Sequence, residues 1–377
     1  MSFTQNNDRY HRQIILKEFG ETSQQKLLNA KVLVIGAGGL GCPALLYLTA
    51  AGVGTIGIID FDVVTITNLH RQILFSENDI GKQKAATAAI KLAQINPEIQ
   101  IRVYNFQLTN KNAIELLANY DLVIDGTDNF ATRYLINDAC VILNKPLVYG
   151  SVLRFEGQVG VFNLMDNETQ IKTNYRDLFP EPPNPLNALS CNEAGVIGVL
   201  PGIIGTMQAT EAIKIITGVG KTLCNKIISY NALQNLFYDF EITPVLNPIE
   251  KFPQNEMEFL NFNYEWFCSL KANVSVISII EFEELRIKEK ITIIDVRERN
   301  ELPLVNEFDF ISIPLNDLPN LLASIPTDNK IIFFCKSGNR SLKAVKLFNE
   351  KYPQLLAYSL SGGINAWQQF NNKTSLK

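Results

Sequence analysis

The chain reads as an α/β protein, a mostly parallel sheet with helices on both faces followed by a smaller α/β domain. Three observations predict it. Short apolar runs rich in Val and Ile alternate with segments of helical spacing through the first half, as in strands buried on both faces and joined by covering helices. The periodicity is lost around residues 247–265 and resumes near Val274. At 377 residues and 46% hydrophobic content there is material for two cores.

Residues 31–35 form the first expected strand. Gly36, Gly38 and Gly41 then satisfy G-x-G-x-x-G, with Gly39 between them, and residues 42–51 continue as an apolar helix. Glycines there let the backbone approach phosphates, and the helix N-terminus offers unpaired N–H groups and positive potential. A second strand over 55–60 ends in Asp60, an acid suited to a ribose hydroxyl. This Rossmann-like unit alone fits NAD as readily as ATP. Residues 99–104, 121–126 and 146–150 are further expected strands, with helices over 82–94 and 132–143. Residues 158–163 read as an antiparallel addition. A polar segment over 166–192, with Pro180, Pro182, Pro183 and Pro185, is long enough to expect a functional loop. Residues 194–218 read as a glycine-punctuated apolar helix, whose glycines permit close packing.

Composition excludes several classes. A formal charge of −4, with both signs mixed along the chain, argues against a nucleic-acid surface. The first residues lack the basic and apolar regions of a signal peptide. The longest apolar stretch, 194–207, is short and contains Pro201, so no membrane span is expected. Six scattered cysteines fit a reducing interior, and a cytoplasmic protein is the expectation.

Beyond Asp60, the residues Asp62, Asn68, Arg71, Gln72, Lys82 and Lys84 crowd polar and cationic groups beside the glycine loop. A hydride-transfer enzyme gains little from these cations, whereas a triphosphate being cleaved needs its charge offset. The segments RYHRQI (9–14), GAGGLG (36–41), DFDVVTITNLHRQ (60–72), GKQKA (81–85), DGTDN (125–129) and EAGVIGVLPGIIGTMQATEAIK (193–214) occur in this order. Together they resemble the ThiF/MoeB/HesA family, relatives of ubiquitin-activating enzymes.

The resemblance implies adenylation of a small ubiquitin-like, MoaD- or ThiS-like sulfur carrier at its C-terminal Gly-Gly carboxylate, with ATP and Mg²⁺. Gly39 and its neighbours would hold phosphate through backbone N–H groups, and Asp60 would bind the ribose. Asn68, Arg71 and Lys84 would hold the triphosphate, with Asp62 and Gln72 beside them. Asp128 would hold Mg²⁺ through a hard carboxylate oxygen, with Asn129 next to it. Arg12 resembles the arginine that such homodimers lend to the partner's site. Asp62 fits a turn cap equally well; Lys82 reads as solvated and Asp125 as an orderer of the strand end. His11 and His70 suggest no metal site. Cys191 sits where many relatives carry a cysteine. In some it links covalently to the activated carrier, in others it is dispensable, and a small buried hydrophobe is the plainer reading.

Most relatives also carry a structural zinc on two C-x-x-C pairs. Here those positions are Asn174, Asp177, Glu250 and Pro253, which cannot build zinc's soft tetrahedral site. No zinc is expected, with ordinary packing in its place.

In the second unit a helix over 280–288, strands over 291–296 and 330–335, and a helix over 341–352 are expected. The segments IIDVRE (293–298), FFCKSGNRS (333–341) and LSGGINAW (360–367) resemble a rhodanese domain. Cys335 leaves a strand into a loop whose N–H groups can converge on its sulfur, and Lys336 and Arg340 add positive potential. Cysteine phosphatases place their arginine after five intervening residues; here Arg340 follows after four. The family's histidine-bearing segment is replaced by VNEFDF (305–310).

The expected organisation is an adenylyltransferase over 1–245, a linker over 246–273 and a rhodanese-like domain over 274–377. The Cys335 persulfide, charged by a cysteine desulfurase or thiosulfate, would convert the activated carrier to a thiocarboxylate. Molybdopterin synthesis, thiamine synthesis and tRNA thiolation all use such chemistry. Two rivals remain. A nicotinamide-dependent oxidoreductase leaves Arg71, Lys84 and Asp128 unexplained, and a non-catalytic carrier-docking scaffold needs neither Asp128 nor Cys335.

Overall fold

A computed structural model of the chain describes residues 3–182, 194–245, 252–269, 275–299, 301–352 and 354–374. The chain divides into two compact units, with the change at Tyr264–Glu265. No described helix is long and apolar enough to cross a membrane.

The first unit is built on an eight-stranded sheet, order β3-β2-β1-β4-β5-β6-β7-β8. Its strands are β1 (Lys31–Ile35), β2 (Thr55–Ile59), β3 (Gln100–Tyr104), β4 (Leu122–Asp125), β5 (Leu147–Leu153), β6 (Glu156–Phe162), β7 (Lys226–Asn231) and β8 (Leu236–Glu241). The first five pair in parallel, and β5 through β8 run antiparallel. Register sets the site: Ile35 lies opposite Ile59 on one side and Asp125 on the other. Three carboxyl ends therefore finish level, and the order reverses between β1 and β4. In open α/β sheets the crevice beyond that reversal is where ligands bind.

Helices α1 (Phe3–Ile14), α2 (Gly20–Asn29), α3 (Gly41–Ala51), α4 (Lys84–Ile95), α5 (Ala113–Ala118), α6 (Phe130–Ile142), α7 (Tyr175–Leu178) and α8 (Val199–Thr217) surround the sheet. The buried faces of β1, β2, β4, α3 and α4 form one apolar cluster, from Val32 and Val34 to Leu45, Leu48, Ile56, Ile58, Ala88, Leu92 and Ile124. Of the glycines at and before α8, Gly198 and Gly205 serve close packing, whereas Gly195 and Gly202 meet nothing within 4 Å. A Cβ on Gly205 would fall 2.2 Å from the Leu40 carbonyl oxygen, and one on Gly198 2.3 Å from that of His70.

Two features exceed the sequence expectation. Helices α1 and α2 precede the sheet, with Tyr10 buried and its hydroxyl accepting from Asn96 Nδ2 at 2.7 Å. The β7–β8 hairpin extends the sheet by two strands, and every residue of β8 is exposed. Within the segment read as a linker, α9 (Glu256–Asn261) belongs to the first unit. Asn110 Nδ2 donates to the Leu260 carbonyl at 2.7 Å, and Tyr264 donates to Asp138 Oδ2 at 2.9 Å. A short helix, α10 (Tyr264–Ser269), follows.

The second unit is an all-parallel sheet, order β11-β10-β12-β13-β9. Its strands are β9 (Ser275–Ile277), β10 (Ile291–Asp295), β11 (Ile311–Ser312), β12 (Lys330–Phe334) and β13 (Ala357–Leu360). Helices α11 (Ile279–Lys288), α12 (Leu318–Leu321), α13 (Asn339–Lys351) and α14 (Gly363–Thr374) accompany them. Apolar clusters lie on both faces of the sheet, one around Phe333 and Phe348, the other around Phe334, Leu360 and Trp367.

Candidate functional site

The glycine loop leaves β1 at Gly36, whose φ of +94° suits glycine. Packing leaves no room for side chains beneath it. A Cβ on Gly41 would sit 1.9 Å from the Gly36 carbonyl oxygen, and one on Gly36 would sit 2.8 Å from that of Gly126. Asp60, just past β2, fastens the same loop. Its Oδ2 accepts from Ala37 N at 2.8 Å and its Oδ1 from Asp62 N at 2.9 Å. Burial pushes the Asp60 carboxyl up, while the nearby Lys84 charge pulls the other way.

The cations come from the segment between β2 and α4. A capping-box turn at Thr65–Asn68 starts it, with Asn68 Oδ1 accepting from Thr65 N at 3.4 Å. Arg71 and Gln72 follow, over the loop. From an ideal Cβ on Gly39, Arg71 Cδ is 3.5 Å away, and from one on Gly38, Gln72 Nε2 is 3.8 Å away. Arg71 Nη1 donates to Thr67 O at 3.0 Å and lies 2.8 Å from His70 Nε2. Gln72 is 3% exposed, yet its Oε1 has no hydrogen-bond partner. A buried amide oxygen without a donor is costly, and the other end of the same amide, Nε2, is the atom beside the loop at Gly38. Lys84 opens α4 from a buried position, with Nζ 3.1 Å from the exposed Asp62 carboxylate.

The loop after β4 supplies the third side. Asp125 is fully buried and accepts from Thr127 N at 2.9 Å, Thr127 Oγ1 at 2.6 Å and Arg133 Nε at 3.2 Å. It orders the strand end, as its position suggests. Gln208 of α8, absent from the sequence reading, donates to the Asp125 carbonyl at 2.7 Å. Asp128 is exposed beyond this rigid turn, and its carboxylate makes no hydrogen bond or ion pair with the described residues. Asn129 caps α6, accepting from Thr132 N at 2.8 Å.

The structure thus gathers Gly36, Gly38, Gly39, Gly41, Asp60, Asp62, Arg71, Gln72 and Lys84, with Asn68 at the start of the covering turn. The loop holding Asp128 adjoins them through Gly126. Arg12 is exposed on α1, with no contact to this set. Cys191 lies outside the described residues. Cys42, behind the loop, is no rival nucleophile, since burial pushes its thiol up to about 12.

No described group of three or more His, Cys, Asp or Glu could hold a metal ion. Asn174 and Asp177, at zinc-ligand positions, instead close a capping box on α7. Asn174 N donates to Asp177 Oδ2 at 2.7 Å, and Val245 N donates to Asp177 Oδ1 at 2.8 Å. Arg176 between them donates to Asp138 through Nε at 2.8 Å and Nη2 at 2.7 Å. Its guanidinium also faces the rings of Tyr134, Phe252 and Phe262. Polar contacts and a buried ion pair hold this region, more than the ordinary packing that the sequence suggested.

In the second unit Cys335 directly follows β12 at 1% exposure, with Gly338 N donating to its sulfur at 3.1 Å. Ser341 Oγ lies 3.6 Å from that sulfur. Arg340 differs from expectation. Its guanidinium is held by Glu301 at 2.7 and 2.5 Å, so its charge is largely matched before reaching the sulfur. A buried pair anchors the turn before Glu301, Arg297 Nη2 to Asp295 Oδ2 at 2.7 Å.

Phosphate chemistry in the first unit and sulfur chemistry in the second define an adenylyltransferase joined to a sulfurtransferase. The chain belongs to the ThiF family, matched over residues 10–248, and carries a rhodanese-like domain over residues 278–370. It is 43% identical to the probable adenylyltransferase/sulfurtransferase MoeZ of Mycobacterium tuberculosis, over 95% of this chain and 92% of that protein. It is 45% identical to the sulfur carrier protein adenylyltransferase of Thermus thermophilus, over 70% of this chain and 97% of that one. Among solved structures, E. coli MccB with AMPCPP and MccA superposes with a TM-score of 0.55 at 23% identity, over 63% of this chain and 72% of that. At that identity the likeness speaks to the fold.

Proposed function

We propose that the first unit adenylates the C-terminal Gly-Gly carboxylate of a small ubiquitin-like sulfur carrier, and that the second delivers sulfur to it from a Cys335 persulfide. A carrier carboxylate oxygen attacks the α-phosphorus of ATP, the bond to pyrophosphate breaks, and an acyl-adenylate remains. The outer persulfide sulfur displaces AMP at the acyl carbon, giving an acyl disulfide with Cys335; a second thiol then attacks the Cys335 sulfur, releasing the thiocarboxylate and leaving a disulfide that a further thiol reduces. The supporting observation is that Arg71 and Gln72 reach a glycine loop tied to Asp60, while the Lys84 charge acts on that same Asp60 and pairs with Asp62. Pre-placed cations are what a reacting triphosphate requires, and a pyrophosphate that is only held needs fewer of them.

On this reading Asn68, Arg71 and Lys84 hold the phosphates and Asp60 the ribose. Asp62 keeps Lys84 in place until ATP competes for it. Asp128 would hold Mg²⁺, and a single exposed carboxylate fits an ion that takes most of its oxygens from ligand and water. The chemistry such an ion would supply is positive charge on the reacting phosphates. Asn129 acts by capping α6 behind Asp128. Arg12 reaches a partner's site in a homodimer, and Cys191 is the candidate for a covalent link to the carrier. The catalytic domains are residues 1–245 and 274–377, with α9 of the intervening segment packed onto the first, and the enzyme needs no zinc. It works in the cytoplasm, charged by a cysteine desulfurase or by thiosulfate.

The test is ATP–pyrophosphate exchange with Mg²⁺, with and without carriers ending in Gly-Gly. Exchange that depends on one carrier and is lost in Asp128→Ala supports the reading and names the pathway. NADH binding without ATP binding would overturn it. Unchanged thiocarboxylate formation in Cys335→Ala would remove the second half.

A further inference from the structure

Two buried hydroxyls behind Cys335 have no role in the chemistry derived so far. Ser341, in the first turn of α13, has no solvent exposure, and Ser359, on β13, has 1%. Ser359 donates to Ser341 Oγ at 2.8 Å. Ser341 then has one hydrogen and two acceptors, the Gly338 carbonyl at 2.8 Å and the Cys335 sulfur at 3.6 Å. A serine returning its hydroxyl to a carbonyl three residues back is ordinary helix chemistry. A second buried serine, from a different element, spending its hydrogen on the first is not. Burying a hydroxyl carries a cost unless its bonds are made.

We propose that Ser341 is a positioning donor for the sulfur anion of Cys335, switching acceptor from the Gly338 carbonyl to the sulfur when the thiol ionises or carries a persulfide, with Ser359 polarising it from behind. A neutral thiol is a poor acceptor, so the carbonyl keeps the hydrogen. A thiolate or persulfide anion makes a charge-assisted bond and takes it. Gly338 N already donates to the sulfur at 3.1 Å, so the switch adds a second donor only when charge is present. The Ser359 hydrogen on Ser341 Oγ strengthens that donor cooperatively. This inference deepens the reading of Cys335 as the sulfur carrier and rests on it.

The other charged groups around the sulfur are Lys336 and Arg340 on its own loop, Glu301 bound to Arg340, and the Asp295–Arg297 pair, whose guanidinium lies 5.3 Å from the Phe334 ring centroid. None of them is altered by removing a serine hydroxyl.

The experiment follows alkylation of Cys335 by iodoacetamide in the full chain from about pH 5 to pH 10, read on the Cys335 peptide by mass spectrometry. Ser341→Ala is expected to raise the midpoint by about one unit, the size of a lost hydrogen bond to an anion. Ser359→Ala is expected to raise it by less, and Ser341→Thr to keep it near the native value. A midpoint unmoved in Ser341→Ala, with altered melting, makes the serine structural and overturns the proposal. Should Ser341→Ala not fold, Ser359→Ala decides, and an unmoved midpoint there overturns it equally. The alkylation midpoint does not depend on sulfur transfer, so loss of the Cys335 role in thiocarboxylate formation would be seen separately.

Discussion

Arg176 and Asp138 meet through two hydrogen bonds of 2.8 and 2.7 Å with 4% and 1% of their side chains exposed. They lie 38 residues apart and join α7 to α6, while Tyr264 brings in the end of the unit by donating to the same carboxylate. Breaking such a pair from one side strands a buried charge. Asp138→Ala is therefore expected to lower the stability of the first unit by about 3–5 kcal/mol. Urea unfolding measures it; a loss no larger than a surface substitution gives would mean that water enters and solvates Arg176.

The same region predicts indifference to chelation. With Asn174 and Asp177 bonded to each other and to Val245 N, dialysis against EDTA should leave the melting temperature unchanged, and elemental analysis should find less than one zinc per chain. A drop in melting temperature reversed by added zinc would overturn this.

Gln72 separates binding from stability. Its buried Oε1 lacks a partner in the protein, so removing the amide costs the fold little. Gln72→Met conserves volume and should leave unfolding unchanged or slightly improved, while raising KM for ATP about tenfold through one lost hydrogen bond. Equal losses in stability and in KM would assign the residue to packing.

Arg340 holds the Glu301 carboxyl below the usual glutamate range. A lowered folded-state value means that the pair contributes stability above the unfolded value, near pH 4.3, and that this is lost as pH falls through the folded value. Thermal melts of Glu301→Gln should therefore lie below native at neutral pH, with the gap closing as pH falls below about 4. A gap that is the same at both ends of the range would show that Glu301 acts through packing alone.

Much of the nucleotide side was legible in the sequence because its physics is local. Val- and Ile-rich runs with no exposed face announce buried parallel strands, and Gly36 at positive φ has few substitutes. The β7–β8 hairpin was not legible, because β8 (Leu236–Glu241) is exposed throughout and lacks a clean alternation of buried and exposed faces. Helix α1 is anchored through Tyr10 to Asn96, 86 positions away, so its reason for existing lies elsewhere in the chain. Arg340 carries a related lesson. The loop spacing picked it out, but nothing local reveals Glu301, 39 residues upstream, which occupies its guanidinium.

The crowding beneath the glycine loop bears on how this family can diverge. Gly36, Gly41 and Gly126 are pressed together by backbone, before any nucleotide arrives. Substitutions there are removed by misfolding, so their permanence in descendants would record architecture and say little about ligand choice. Novelty has to enter through the covering turn around Arg71, whose contacts with the loop are made by side chains and not by backbone. A lineage could thus change what it activates while keeping its loop intact, and a shared loop would be weak testimony to a shared substrate.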